Sequence, residues 1–95
     1  MSPTKWTRPA QADLARIDDH HRERDVAYAD RVGRQAIGAG RFLAQHPASG
    51  SPIDHELRKW RVRGTRYLLV YRLVPGGVEV LRVRHERENW RAEPL

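Results

Sequence analysis

The residues best suited to chemistry lie near the end of the chain, in "VLRVRHERENW" at positions 80 to 90. A short apolar strand runs there into Arg82, Arg84, His85, Glu86 and Arg87, and Trp90 follows. An imidazole titrates near neutral pH and can move a proton. Arginines contact phosphate or carboxylate through two parallel hydrogen bonds, which lysine does not do. Lys59 and Arg61, in "ELRKWRVRG", alternate with Arg58, Trp60 and Val62 and add two cations to a strand face. Such a set suits either cleavage of an RNA phosphodiester or recognition of an acidic partner. Cleavage by 2′-hydroxyl attack needs a base, cations around the phosphate and an acid for the leaving oxygen. Only His85 has a ready acid–base group here, and Glu86 repels a phosphate unless it serves as the base.

The charge is concentrated where these residues lie. The 95-residue chain has net charge +6, with 18 Lys and Arg against 12 Asp and Glu, and all of the cations but Lys5 and Lys59 are Arg. Residues 1–55 are nearly balanced, whereas residues 56–91 hold 10 basic and 4 acidic side chains. That patch favours an anionic partner, nucleic acid or an acidic protein segment. No cysteine is present, so no disulfide or thiolate metal site is available. His20 and His21 diverge by about 100° on a helix, and His46 and His55 have no carboxylates at metal spacing. Neither a metal nor a cofactor is expected. No Gly-rich phosphate loop or nucleophile elbow occurs. The apolar run "YLLVY" is too short to span a bilayer, and "MSPTKWTRP" has no signal-peptide core. A cytoplasmic protein with no membrane association is expected.

The elements that must position these residues follow from periodicity. One domain, 1–95, is expected on length. "TKWT" at 4–7 reads as a short strand. Pro9 suits the first turn of a helix, and Ala10, Leu14, Ile17 and His21 follow at helical spacing. "DDHHRERD" contains a break. A second helix from about Asp25 to Gln45 carries the stripe Val26, Ala29, Val32, Ala36, Ile37, Ala39 and Leu43, with Phe42 beside it. "HPASGSP" reads as a loop. Three strands follow: "ELRKWRVRG", the central "RYLLVYRLV" and, after the turn "PGG", "VEVLRVRH". Simple alternation puts Val78, Val80, Arg82 and Arg84 on one face of the last strand and Leu81, Val83 and His85 on the other. The fold class is α+β: an N-terminal strand, a two-helix hairpin and a three-stranded antiparallel sheet.

This layout resembles the RelE/ParE family of bacterial toxins from type II toxin–antitoxin systems. "WTRPAQADLARI", "FLAQHPASG", "LRKWRVRGTRYLLVYRL" and "VEVLRVRHERENW" occur in the family's order and cover nearly the whole chain. The resemblance implies a single toxin domain, a cognate antitoxin with an acidic amphipathic segment, and an oligomeric toxin–antitoxin complex. The family divides into ribosome-dependent mRNA endonucleases (RelE-like) and inhibitors of DNA gyrase (ParE-like). Lys59 and Arg61 match two basic positions of the nucleases. Leu68 stands where those carry an Arg after the first Tyr of the central strand, Glu86 where they tend to carry an Arg, and Trp90 where they often end in a catalytic Tyr. The ending His85, Arg87, Trp90 is similar to the ParE branch. That branch implies a stoichiometric gyrase inhibitor causing growth arrest, with no catalytic residue. Arg61, Arg82, Arg84, Arg87 and Arg91 are then the expected target contacts, and Trp60, Tyr67, Tyr71 and Trp90 structural aromatics. The alternative is an endonuclease using Lys59, Arg61, His85, Glu86 and Arg87.

Overall fold

Thr7 starts the first helix: its hydroxyl accepts the backbone N–H of Ala10, and proline occupies the first turn. Asp25 does the same for the second helix, accepting from the Tyr28 N–H. The computed structural model describes residues 3–88. In chain order these form β1 (Thr4–Trp6), α1 (Arg8–Arg22), α2 (Val26–Gln45), a 3-10 turn (Pro47–Ser49), β2 (Ser51–Pro52), β3 (Leu57–Arg61), β4 (Tyr67–Val74) and β5 (Gly77–His85). Among the described residues no helix is long and apolar enough to cross a membrane. Trp90 and Arg91 lie outside the described residues.

The architecture is α+β, with one five-stranded sheet in the order β1-β5-β4-β3-β2. Two strands therefore join the three that were expected. β1 does not stand apart but pairs in parallel with β5, Thr4 against Val78 and Trp6 against Val80. A parallel pair needs a long crossover, and the α1–α2 hairpin supplies it. The Pro3 carbonyl accepts the Val78 N–H and presses on Gly77, where a Cβ would collide with it. Ser51–Pro52, read as loop, pairs with Lys59 and Arg58 at the other edge. Proline is tolerated there because an edge strand need not donate.

Both helices cover one sheet face. Ala10 and Ile17 of α1 and Val32, Ala36 and Leu43 of α2 pack on Leu69, Tyr71, Val78, Val80 and Val83. Gly40 lets α2 approach β1: the Trp6 and Thr4 side chains leave no room for a Cβ, and the Thr4 hydroxyl donates to the Gly40 carbonyl at 2.8 Å. The buried stripe of α2 is narrower than expected, since Val26, Ile37 and Phe42 are exposed. Val26 opens the helix, and Ile37 lies about 100° around from Ala36.

The face assignment of β5 needs correction. Tyr71 pairs with Val80, but Val70 pairs with Arg82, so Leu81 is an extra residue. This bulge reverses the alternation beyond it. Val83 and His85 consequently share the helix-covered face with Val78 and Val80. β1 ends beside Val80, so the next outward N–H of β5 needs another acceptor. Asp13 of α1, 1% exposed, provides it. Its carboxylate accepts from the Val83 N–H (2.9 Å), from Arg82 through both Nε (2.8 Å) and Nη2 (2.9 Å), and from Arg16 (3.1 Å). Burial alone would raise this carboxyl's pKa. The hydrogen bonds from Arg82, Val83 and Arg16 outweigh it and hold the group below the ordinary carboxylate range.

Asp13→Ala is expected to cost about 3–5 kcal/mol, the usual result of breaking a buried ion pair. Because the folded pKa is depressed, the contribution is complete above about pH 4 and is lost as pH falls through the lower folded value. Urea unfolding at pH 7 and pH 3 should show a steeper acid loss for wild type than for Asp13→Asn.

Candidate functional site

The start of β4 and the end of β5 lie side by side, because Tyr67 pairs with His85. Their rings meet edge to face at 5.3 Å. The last turn of α1 closes over them from the helix layer. His21 shares the inner stripe of α1 with Ala10 and Ile17, and its Nε2 is 2.8 Å from the Tyr67 hydroxyl. Burial raises the Tyr67 pKa, and which of the two groups donates follows the tautomer of the imidazole. Burial also lowers the His21 pKa, helped by repulsion from His20, His85 and Arg24 and opposed by Asp25. Tyr28, in the first turn of α2, sets its ring edge to face with His21 at 4.8 Å, and its hydroxyl accepts the Arg66 N–H.

Glu86, directly after β5, completes the cleft. Its carboxylate lies 3.0 Å from Arg61 and 3.6 Å from Arg66, and its N–H donates to the Arg66 carbonyl. The cleft is open to solvent, with a volume of about 650 Å³, walled by His20, His21, Tyr28, Tyr67 and His85 and bordered by Arg61, Arg66, Asp25 and Glu86. Three of the five residues of the nuclease set, Arg61, His85 and Glu86, thus meet in one cleft. Arg87 is exposed next to it, with its N–H on His85 Nδ1 at 3.1 Å. Lys59 does not line the cleft; it pairs with Val70 in the sheet. Among the described residues no group of three or more His, Cys, Asp or Glu is placed to hold a metal ion.

The arginines expected as target contacts differ in position. The Arg61 side chain is 65% exposed. Arg82 is held by Asp13 with 20% of its side chain exposed, and Arg84 is 3% exposed, with Glu88 3.5 Å away. Tyr71 is buried, and its hydroxyl donates to the Pro47 carbonyl at 2.6 Å and accepts the Gly50 N–H at 2.9 Å. Trp60 stacks on Phe42 with ring centroids 5.3 Å apart. These two rings, with Gly38 and Ala39, form a second, apolar groove bordered by Gln35, Arg61 and Arg63. Tyr28 and Arg66 were not expected at this site, and His21, placed in the helical stripe of α1, was considered chemically only as a metal ligand beside His20. A signal was available for His21, which falls in phase with the apolar stripe of α1.

The family described as the ParE toxin of type II toxin–antitoxin systems, parDE, matches residues 4–90. The toxin ParE1 of Caulobacter vibrioides is 30% identical over 93 residues, covering 97% of each chain. A solved structure described as the chromosomal ParDE TA system from P. aeruginosa superimposes with a TM-score of 0.74 at 21% identity. It covers 90% of this chain and 96% of that one, a likeness of fold.

The His21–Tyr67 bond links the tip of the helical hairpin to the sheet. Tyr67→Phe is expected to cost about 1 kcal/mol at pH 8, the net worth of one hydrogen bond. Because the folded pKa of His21 is depressed, its stabilising effect is present above about pH 6.5 and lost as pH falls through the lower folded value. Imidazole NMR titration should place His21 below a free imidazole in the native chain.

Proposed function

Because the chain belongs to the ParE toxin family of type II toxin–antitoxin systems, we propose that it arrests growth by binding DNA gyrase, and that a cognate antitoxin neutralises it. The observation that carries the gyrase reading is the state of the cleft. Glu86 pairs with both Arg61 and Arg66, where a phosphodiester-cleaving site needs cations turned to the substrate. Leu68 supplies no cation either. On this reading the 1–95 chain is one cytoplasmic toxin domain, and Arg61 and Arg87 present its contact charges.

Support for the antitoxin comes from the Phe42–Trp60 groove. Phe42 is 43% exposed, and the groove floor is formed by Gly38 and Ala39. An amphipathic segment would set apolar side chains on these rings and carboxylates toward Arg61 and Arg63. The toxin–antitoxin complex is then oligomeric. A partner binding only the folded toxin stabilises it by about 4 kcal/mol at a thousandfold excess over Kd. A rise of the melting temperature on adding antitoxin, reduced in Phe42→Ala, is the expected result.

Inhibitor and nuclease are separated by ranking variants in growth-arrest assays, with folding checked by circular dichroism. His85→Gln should leave most toxicity, and Arg61→Glu or Arg87→Glu should weaken it. A nuclease would reverse that order, because losing its acid–base group typically costs about a hundredfold or more. Purified chain should block gyrase supercoiling and leave ribosome-bound mRNA intact.

A further inference from the structure

We propose that His85 is a positioning residue operated by one proton: its unprotonated imidazole holds the turn that presents Arg87 to the target, and protonation releases that turn. This rests on the reading of Arg87 as a target-contact charge. Residues 85–88 close a tight turn after β5 with three hydrogen bonds. The Glu88 N–H donates to the His85 carbonyl and the His85 N–H to the Glu88 carboxylate, each at 3.0 Å. The Arg87 N–H donates to His85 Nδ1 at 3.1 Å. The first two bonds persist through the neutral range, because neither an amide nor an ordinary carboxylate changes charge between about pH 6 and 8. The third needs a lone pair on Nδ1, so the single proton of the neutral ring is on Nε2. The next proton adds at Nδ1. Two donors then face each other, and the Arg87 N–H loses its acceptor.

The surroundings offer the protonated ring no substitute. His85 packs edge to face on Tyr67 and lines both the cleft and a smaller hollow beside α1. The titratable and charged groups facing it are Arg16, His20 and His21 from α1, Asp25 and Tyr28 at the start of α2, Arg61 from β3, Arg66 and Tyr67 at the start of β4, and Glu86 and Glu88 from its own turn. The three carboxylates among them are already engaged. Asp25 caps α2, Glu86 lies between Arg61 and Arg66, and Glu88 accepts the His85 N–H and stands 3.5 Å from Arg84. Among the described residues, then, an imidazolium at His85 meets no idle carboxylate. Arg87 is exposed, and its side chain grows from the very residue whose N–H is released. With the bond made, the guanidinium is presented in one orientation. Without it, several are sampled and the target must select one, which weakens binding. Because the other two bonds of the turn remain, the change is confined to Arg87. Target binding is therefore strongest above neutral pH and declines as His85 takes up its proton.

Two variants separate the proton from the ring. His85→Asn puts an amide oxygen where Nδ1 stands and accepts at every pH, whereas His85→Phe keeps a ring on Tyr67 and has no acceptor. Binding of the full chain to purified DNA gyrase is measured at about pH 8 and about pH 6, on either side of an ordinary imidazole titration. Between the two, wild type should lose about threefold more affinity than His85→Asn does, the equivalent of one hydrogen bond. His85→Phe should bind about threefold more weakly than His85→Asn at both, a loss small enough to leave growth arrest in place. Parallel pH profiles for wild type and His85→Asn overturn the proposal. NMR of the free wild-type chain gives a reading that no folding defect can disturb. At the higher pH the imidazole nitrogen shifts should place the His85 proton on Nε2, and the Arg87 amide signal should titrate with the His85 midpoint. A proton on Nδ1 at that pH, or an Arg87 amide that does not follow His85, also overturns it. If wild-type chain does not bind gyrase at the higher pH, the gyrase reading fails separately, and the Arg87 amide still decides whether His85 holds the turn.

Discussion

The carboxylate of Asp13 is the constraint on which the rest depends. It sits on the inner side of α1, almost without solvent, where a hydrophobic residue would ordinarily pack. A buried charge is tolerated only with its hydrogen bonds made, and here they come from Arg16 on its own helix and from Arg82 and Val83 on β5. One side chain therefore docks α1 against the sheet and supplies the acceptor that β5 needs beyond the end of β1. It does so beside the bulged residue Leu81, where the pairing register shifts. Thr7 works alongside it, joining its backbone and hydroxyl to the carbonyls of Val80 and Leu81.

That register decides what the cleft contains. Without the extra residue, His85 would lie on the far face with the surface cations. With it, His85 stands next to Tyr67 under the helical hairpin, within reach of His21. The helical side of the cleft is positioned separately. Arg22 bridges Asp18 on α1 and Asp30 on α2 at 2.8 and 2.7 Å, fastening the hairpin whose tip delivers His21 and Tyr28. The pair is exposed and so of modest worth by itself, but it acts together with the packing of α1 on α2.

The arginines that make the chain basic serve two purposes. Arg82, Arg84 and Arg58 point into the fold or along its edge, where Arg58 donates to the carbonyls of Ala48 and Gly50. Arg61, Arg63, Arg66 and Arg87 reach solvent around the two concavities. Net charge alone cannot separate these groups. Its field draws anionic partners toward the C-terminal part of the chain, while the exposed subset decides where they dock.

Local pattern in the sequence was enough for both helices and the three long strands, and the order of the motifs for the family, but not for β2 at Ser51–Pro52. Pro9 in the first helical turn, the stripe Ala29, Val32, Ala36, Leu43, and the doubly apolar Tyr67–Tyr71 run report on interactions a few residues apart, so they are legible in one dimension. Lys59, Arg61, His85 and Glu86 could likewise be named as a chemical set. The tertiary structure alone decided how they are arranged. The parallel pairing of β1 joins residues more than seventy positions apart. The bulge at Leu81 leaves no mark in the alternation of "VEVLRVRH". Asp13 in a polar helix reads as a surface residue until Val83 and Arg82 are brought to it. His85 changed faces because side-chain direction in a strand follows register, and register is set by partners distant in the chain; Arg82 and Arg84, expected at the surface, are instead held against the fold beside Asp13 and Glu88.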